Sequence, residues 1–271
     1  MTDSLGMTGA APPEALSVSG LSKSFGGLQA VRDASFAVAA GQVCALIGPN
    51  GAGKSTAVSL ISGALRADSG RVRLHGADIT GWAPDRIARA GLIRTYQLSR
   101  EFGRLTVLEN LMVTPVGQAG ESLWNVFARP RQVRAEERRH LERALDVLAT
   151  FGLHDLRDSY ARELSGGQKR LLELARSVMA EPRVLLLDEP MAGVNPALID
   201  RIGEHILRLA DGGVTVLMVE HNLGVVERIC DHVIVLAMGA TLATGSMADL
   251  RANPAVVRAY LGGALSDSAS G

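Results

Sequence analysis

A glycine-rich segment with a single lysine is the part of the chain best suited to chemistry. It reads Gly48-Pro49-Asn50-Gly51-Ala52-Gly53-Lys54-Ser55-Thr56 and matches the pattern G-x-x-x-x-G-K-[ST]. An apolar run precedes it and a helical pattern follows it, which is the context in which this loop binds phosphate. Glycines let backbone N–H groups converge on phosphate oxygens, and the helix N-terminus adds a positive dipole end. We predict a nucleotide site in which Lys54 reaches the β- and γ-phosphates and the Ser55 hydroxyl ligates Mg²⁺.

A pair of carboxylates at the end of another apolar run is the second candidate. Residues 184–187 predict a buried strand, and Asp188 and Glu189 follow it directly. Acids at the carboxyl end of a parallel strand face the ligand crevice of an α/β sheet. Asp188 therefore suits a Mg²⁺ site, directly or through water, and Glu189 could polarise an attacking water as a general base. The alternative is an acid pair that caps the next helix, and the phosphate-binding loop favours the catalytic interpretation.

Short apolar runs alternate with helical patterns around these residues. The predicted strands are 16–19, 34–38, 43–47, 71–75, 92–96, 184–187 and 214–219, with two more around Met238-Gly239. The predicted helices are 54–62, 136–151, 167–180, 197–210 and 223–230, with a short one after Pro254. This order predicts a parallel sheet covered by helices on both faces, an added β subdomain at the start, and a helical segment from about 97 to 165.

The composition excludes several classes of protein. The 271 residues are 47% hydrophobic and 21% charged, which rules out wholesale disorder and a coiled coil. The 28 basic and 28 acidic residues balance, which argues against a strongly basic nucleic-acid binder. The two cysteines, Cys44 and Cys230, form neither a disulfide framework nor a metal ligand set, as in a reduced compartment. We see no secretory signal or membrane span, and expect a soluble protein with at most peripheral membrane contact.

A third motif identifies a family. Leu164-Ser165-Gly166-Gly167-Gln168 precedes the acid pair and begins a helical pattern. Alone it is an ordinary N-cap at Ser165, but with the other two motifs it resembles the signature of ATP-binding-cassette (ABC) ATPases. The resemblance implies the P-loop NTPase fold of that family over residues 16–262: an antiparallel β subdomain, a RecA-like parallel sheet core and a helical subdomain at about 98–165. The segments 1–15 and 263–271 are then expected to be disordered.

The resemblance also implies an enzyme that hydrolyses ATP with Mg²⁺, as a head-to-tail dimer with itself or a paralogous ATPase subunit. In the family the signature segment contacts the γ-phosphate of the ATP held by the partner subunit. Gln97 resembles the glutamine that senses Mg²⁺ and water and faces the transmembrane partner. His221 resembles the switch histidine that contacts the γ-phosphate, and Phe25 the aromatic residue that stacks on adenine. Asn195 stands where many members have Asp.

Smaller motifs are similar to the ATP-binding subunits of branched-chain amino acid importers. They are Arg94-Thr95-Tyr96-Gln97, Glu109-Asn110-Leu111, the run 192–196, Val219-Glu220-His221 and the run 253–262. The long stretch from Gln97 to Ser165 is similar to the longer of two ATPase paralogues in such systems. The likeness implies two integral membrane permease subunits, an extracytoplasmic solute-binding protein as an indirect partner, and a place on the cytoplasmic face of the membrane.

Other functions stay open on the sequence. An ATPase of a lipopolysaccharide exporter has a similar C-terminal half, but Arg94 and Asn195 favour the importer. A soluble ABC ATPase acting on chromosomes or ribosomes would carry a coiled-coil insertion or a second cassette, and a P-loop kinase or GTPase would lack the signature and His221. Trp124 and Phe127 either fold back on the core or contact a permease helix.

Overall fold

The computed structural model describes residues 13–95, 102–115 and 130–267. The predictions for Gln97, Trp124 and Phe127 lie outside these residues.

Ten strands and nine helices are described. The strands are β1 (Glu14–Phe25), β2 (Leu28–Ala39), β3 (Val43–Ile47), β4 (Ser69–Leu74), β5 (Ala77–Asp78), β6 (Leu92–Arg94), β7 (Val184–Asp188), β8 (Thr215–Val219), β9 (His232–Ala237) and β10 (Ala240–Gly245). The helices are α1 (Lys54–Ile61), α2 (Pro84–Arg89), α3 (Val107–Met112), α4 (Pro130–Thr150), α5 (Gly166–Met179), α6 (Pro196–Asp211), α7 (Leu223–Ile229), α8 (Met247–Ala252) and α9 (Pro254–Asp267). Short 3₁₀ helices cover His154–Leu156 and Ala161–Glu163.

The larger sheet positions the candidate site. Its order is β10-β9-β3-β8-β7-β6, and every pairing is parallel except that of β9 with β10. Strands β3, β7 and β8 are buried at every position, as expected for parallel strands covered on both faces. Their carboxyl ends lie at one edge of the sheet, where Asp188 is in register with Val219. The loops that follow these strands carry the predicted motifs.

The hydrophobic core lies on both faces of this sheet, because side chains alternate along each strand. Cys44 and Leu46 of β3 pack toward α1 and the antiparallel sheet, whose order is β2-β1-β4-β5. Val43, Ala45 and Ile47 pack toward α3, α5 and α6. One buried strand thus joins the two halves of the core and fixes the start of the glycine-rich loop.

The structure departs from the sequence predictions mainly at element ends. The β1 strand begins at Glu14, inside the segment expected to be disordered, because Glu14 pairs with Ala39 and Ala40 N–H donates to the Pro13 carbonyl at 2.9 Å. At the other end α9 continues to Asp267, into the segment expected to be disordered. Helices α2 and α8 were not predicted. The bounds of the helical subdomain stay predictions.

Across the residues that the structure covers, no helix is long and apolar enough to cross a membrane.

Candidate nucleotide site

The glycine-rich loop joins β3 to α1 in a conformation that only glycine adopts easily. Gly48 has φ 153° and Gly53 has φ 96°. A Cβ on Gly48 would lie 2.1 Å from the Leu236 carbonyl oxygen, and one on Gly53 would lie 2.4 Å from that of Ala30. Gly53 is the N-cap of α1, and among the residues described no side chain caps this end. The first N–H groups of α1 are thus left for a ligand, as in an anion site.

Lys54 lies inside this loop. Its side chain is only 6% exposed, and its Nζ donates to the carbonyls of Gly48 at 2.8 Å and Pro49 at 3.0 Å. Burial lowers the pKa of Lys54, and the charge of Glu189 acts in the opposite direction. An ammonium group held inside the loop by two backbone carbonyls provides a positive charge for phosphate oxygens.

Asp188, at the end of β7, forms an ion pair with Arg94, a residue that was considered above only as part of a motif similar to those of branched-chain amino acid importers. Its Oδ2 lies 2.9 Å from Nη2 of Arg94, and both side chains are largely buried. Arg94 also donates to the hydroxyls of Ser59 at 3.0 Å and Ser62 at 3.2 Å. Arg94 thereby links the end of β6, helix α1 and the carboxylate predicted to serve the metal. Its position three residues before Gln97 gave no indication of this ion pair.

The two residues predicted for hydrolysis lie together. Glu189 Oε1 is 2.9 Å from Nε2 of His221, a hydrogen bond between the loops that follow β7 and β8. Glu189 has φ 49°, a strained conformation for a residue with a Cβ, and its N–H donates to the Val219 carbonyl at 3.0 Å. Both side chains keep access to solvent, at 22% exposed for Glu189 and 45% for His221. A water or phosphate group could therefore reach this pair.

Glu220, directly before His221, is an acid that the sequence analysis named but gave no role. It is 4% exposed, and its carboxylate accepts hydrogen bonds from the backbone N–H groups of Met191 at 3.0 Å and His221 at 3.1 Å. Burial raises the pKa of Glu220, those N–H groups and that of Asn222 lower it, and the charge of Glu189 raises it. The position of Glu220 directly after an apolar strand could have indicated from the sequence that its carboxylate is buried.

The signature segment begins α5. Ser165 and Gln168 form a capping box: Gln168 N–H donates to Ser165 Oγ at 3.3 Å, and Ser165 N–H to Gln168 Oε1 at 2.8 Å. Gly166 faces open space, whereas a Cβ on Gly167 would lie 2.3 Å from Cδ2 of Leu198 in α6. Packing between α5 and α6 is therefore one reason for glycine at 167.

The same helix contacts the backbone of Glu189 within its own chain. Arg170 donates through Nη2 to the Glu189 carbonyl at 3.1 Å, and its Nη1 pairs with Glu173 at 2.7 Å. The sequence analysis missed Arg170, since its contact depends on how α5 approaches β7.

The remaining predicted residues lie apart from this centre. Phe25 ends β1 with its ring 46% exposed, and Lys23 Nζ lies 5.7 Å from the ring centroid. Asn195 caps α6, because its Oδ1 accepts from Leu198 N–H at 3.0 Å. An exposed aromatic ring can stack on a planar base, while Asn195 has a local structural role.

The comparisons with known proteins decide the family. A model described as ABC transporter matches residues 31–192, and one described as branched-chain amino acid ATP-binding cassette transporter matches residues 240–265. The chain belongs to the ABC transporter ATP-binding family. This ABC cassette has the predicted P-loop NTPase fold, binds nucleotide and is an ATPase.

Relatives and solved structures cover nearly the whole cassette. A probable branched-chain amino acid transport ATP-binding protein LivG of Archaeoglobus fulgidus is 41% identical, over 91% of this chain and 95% of the relative. The high-affinity branched-chain amino acid transport ATP-binding protein BraF of Pseudomonas aeruginosa is 40% identical, over 91% and 97%. A crystal structure of the ADP conformation of an ABC transporter cassette is 37% identical, with a TM-score of 0.78 over 92% of this chain and 99% of the other.

Proposed function

We propose that this ABC ATPase powers the uptake of branched-chain or related hydrophobic amino acids through two membrane permease subunits. The observation that carries the proposal is the match of residues 240–265 to the branched-chain amino acid transporter model, beyond the ATPase core at 31–192. Full-length relatives with the same named role support it. The roles of a lipopolysaccharide exporter ATPase and of a soluble ABC ATPase are less favoured, because the relatives given above are named for branched-chain amino acid transport.

The geometry supports a specific division of labour in hydrolysis. The ATP phosphates bind at the uncapped N-terminus of α1, where Lys54 leaves its two carbonyl partners for the β- and γ-phosphate oxygens. Glu189 polarises the attacking water as a general base. His221, whose Nε2 lies 2.9 Å from Glu189 Oε1, contacts the γ-phosphate beside it. Phe25 stacks on the adenine ring.

Ser55 and Asp188 would hold Mg²⁺ beside the phosphates. Both provide the oxygen ligands that Mg²⁺ prefers, a hydroxyl at the start of α1 and a carboxylate at the end of β7. Within the described residues no three His, Cys, Asp or Glu side chains form a metal cluster. Phosphate oxygens and water would therefore complete the coordination of Mg²⁺, and Gln97 is proposed as a further ligand. When bound, Mg²⁺ neutralises charge on the phosphates.

Two cassettes complete each other's sites in this proposal. Ser165, Gly166, Gly167 and Gln168 of one subunit cover the ATP held by the P-loop of the other, in a head-to-tail dimer with itself or a paralogue. The exposed start of α5, with open space at Gly166, supports such an approach. The permease pair docks on the helical segment and on the Gln97 region at the cytoplasmic face of the membrane, and a solute-binding protein delivers the amino acid from outside.

The test is transport by the native complex. The tagged full chain is purified with its membrane subunits, reconstituted in vesicles with the solute-binding protein, and assayed for uptake of labelled leucine and alanine. We expect ATP-dependent leucine uptake that the Lys54→Ala variant abolishes. Equal uptake by Lys54→Ala, or ATP hydrolysis without any hydrophobic amino acid transport, would contradict the proposal.

A further inference from the structure

We propose that Glu220 is a positioning residue that fixes the loop carrying His221 against the segment that follows Glu189, and so sets the contact between these two side chains. This inference rests on the proposed roles of Glu189 and His221 in hydrolysis. It assigns a task to a buried acid that would itself touch neither water nor phosphate.

The two oxygens of Glu220 serve two different loops. Oε1 accepts from Met191 N–H at 3.0 Å, two residues beyond Glu189. Oε2 accepts from the N–H groups of His221 at 3.1 Å and Asn222 at 3.5 Å, the latter at the limit of a hydrogen bond. One carboxylate thus bridges the chain after β7 to the chain after β8.

Burial makes this bridge strong. At 4% exposure the carboxylate has little access to water, so its lone pairs must be satisfied by the protein. With little water to compete for the carboxylate, the N–H groups of Met191 at 3.0 Å and His221 at 3.1 Å are its main partners. A carboxylate suits this position because it has two equivalent acceptor oxygens and no donor facing these N–H groups.

Each bridged loop is also fixed at its far end. The Met191 side chain is 4% exposed, and the segment after it leads to Asn195, which caps α6. Beyond His221, Asn222 caps α7 by accepting from Gly224 at 3.1 Å and Val225 at 3.2 Å. Neither loop can shift alone without breaking a bond to Glu220, so the 2.9 Å contact of Glu189 with His221 is held by the surroundings.

The decisive variant is Glu220→Gln, which keeps the shape but replaces one acceptor oxygen with an NH₂ group facing a backbone N–H. We expect kcat for ATP hydrolysis to fall about 10–100-fold, because small misplacements of reacting groups cost about that much. Nucleotide affinity, measured with a fluorescent ATP analogue, should stay unchanged, since Lys54 and α1 are untouched. Glu227→Gln is the matched control, an exposed acid on α7 paired with Arg251 at 2.6 Å, and should leave kcat unchanged.

A double-mutant cycle separates positioning from general stability. If Glu220 acts through His221, the effects of Glu220→Gln and His221→Ala on kcat should combine to far less than their product. Hydrogen exchange should also become faster in peptides covering 190–195 and 221–225 of Glu220→Gln and stay unchanged elsewhere.

The outcomes distinguish the proposed role of His221 in hydrolysis from the positioning role of Glu220. Unchanged hydrolysis in His221→Ala would contradict the proposed role of the histidine. Impaired hydrolysis in His221→Ala with normal kcat in Glu220→Gln, or with multiplicative effects in the cycle, would overturn the positioning role. Should Glu220→Gln fail to fold, Glu220→Asp replaces it, because a carboxylate one methylene shorter cannot bridge both loops. The positioning role then requires that Glu220→Asp lowers kcat without changing nucleotide affinity, and that its effect on kcat does not multiply with that of His221→Ala.

Discussion

Replacing Arg94 with methionine should destabilise the cassette far more than removing an ordinary ion pair. The variant leaves the Asp188 carboxylate in a site where its side chain is 6% exposed, without the guanidinium 2.9 Å away. It also removes the donors that contact Ser59 and Ser62. Breaking a buried pair on one side costs about 3–5 kcal/mol, out of a total free energy of unfolding of about 5–15 kcal/mol.

The structure offers a matched control for this prediction. Arg89 and Asp85 form a surface pair at 3.4 Å in which both side chains are 64% exposed. Arg89→Met should therefore cost at most about 1 kcal/mol. A third variant, Arg94→Met with Asp188→Leu, removes both charges and should recover much of the loss, since apolar side chains can replace a buried pair at little cost.

Urea denaturation followed by circular dichroism gives the free energy of unfolding of each variant. Similar losses of the free energy of unfolding in Arg94→Met and Arg89→Met would contradict the cost assigned to the buried pair. So would a double variant as unstable as the sum of its single changes, because the cost would then not come from an unpaired charge.

Three further predictions concern the loop, the signature helix and the cysteines. Lys54→Ala should abolish ATP binding in titration calorimetry without lowering the free energy of unfolding of the nucleotide-free protein, because burial already disfavours the charged amine and lowers its pKa. Gly167→Ala should be less stable than Gly166→Ala by about 0.5–1.5 kcal/mol, because an added Cβ at 167 would push the end of the Leu198 side chain off its rotamer, whereas Gly166 faces open space. Burial raises the pKa of Cys44, and that of Cys230 to about 12, so at pH 8 both thiols should react far more slowly with iodoacetamide than the same thiols in urea; equal rates would contradict the burial.

Much of the fold could be read from local patterns. The buried strands β3, β7 and β8 appear as apolar runs, and the P-loop glycines have spacings that local backbone geometry requires. The length of β1 and β2 was underestimated, because polar residues alternate along these partly exposed strands. Helix α2 is only six residues long, too short for a periodic pattern, so it was missed.

The sequence predicted site residues whose type and motif indicate their chemistry. It did not predict contacts whose partners are determined by tertiary packing. Glu189 and His221 were each predicted to act in hydrolysis from their own motifs, and the structure places Oε1 and Nε2 of these side chains 2.9 Å apart; their roles stay predictions. The contacts of Arg94, Arg170 and Glu220 could not be predicted, since each joins elements far apart in the sequence through a geometry that no local pattern records.

Single-turnover hydrolysis of ATP by Glu189→Gln measures directly whether this carboxylate acts as the general base. The variant keeps the size and the hydrogen-bonding reach of the side chain but loses the carboxylate that would polarise water. We expect ATP binding like that of the wild type and a rate of hydrolysis lower by about 10²–10⁴-fold. A near-normal single-turnover rate in Glu189→Gln would contradict the assignment of this carboxylate, and with it the proposed division of labour at the site.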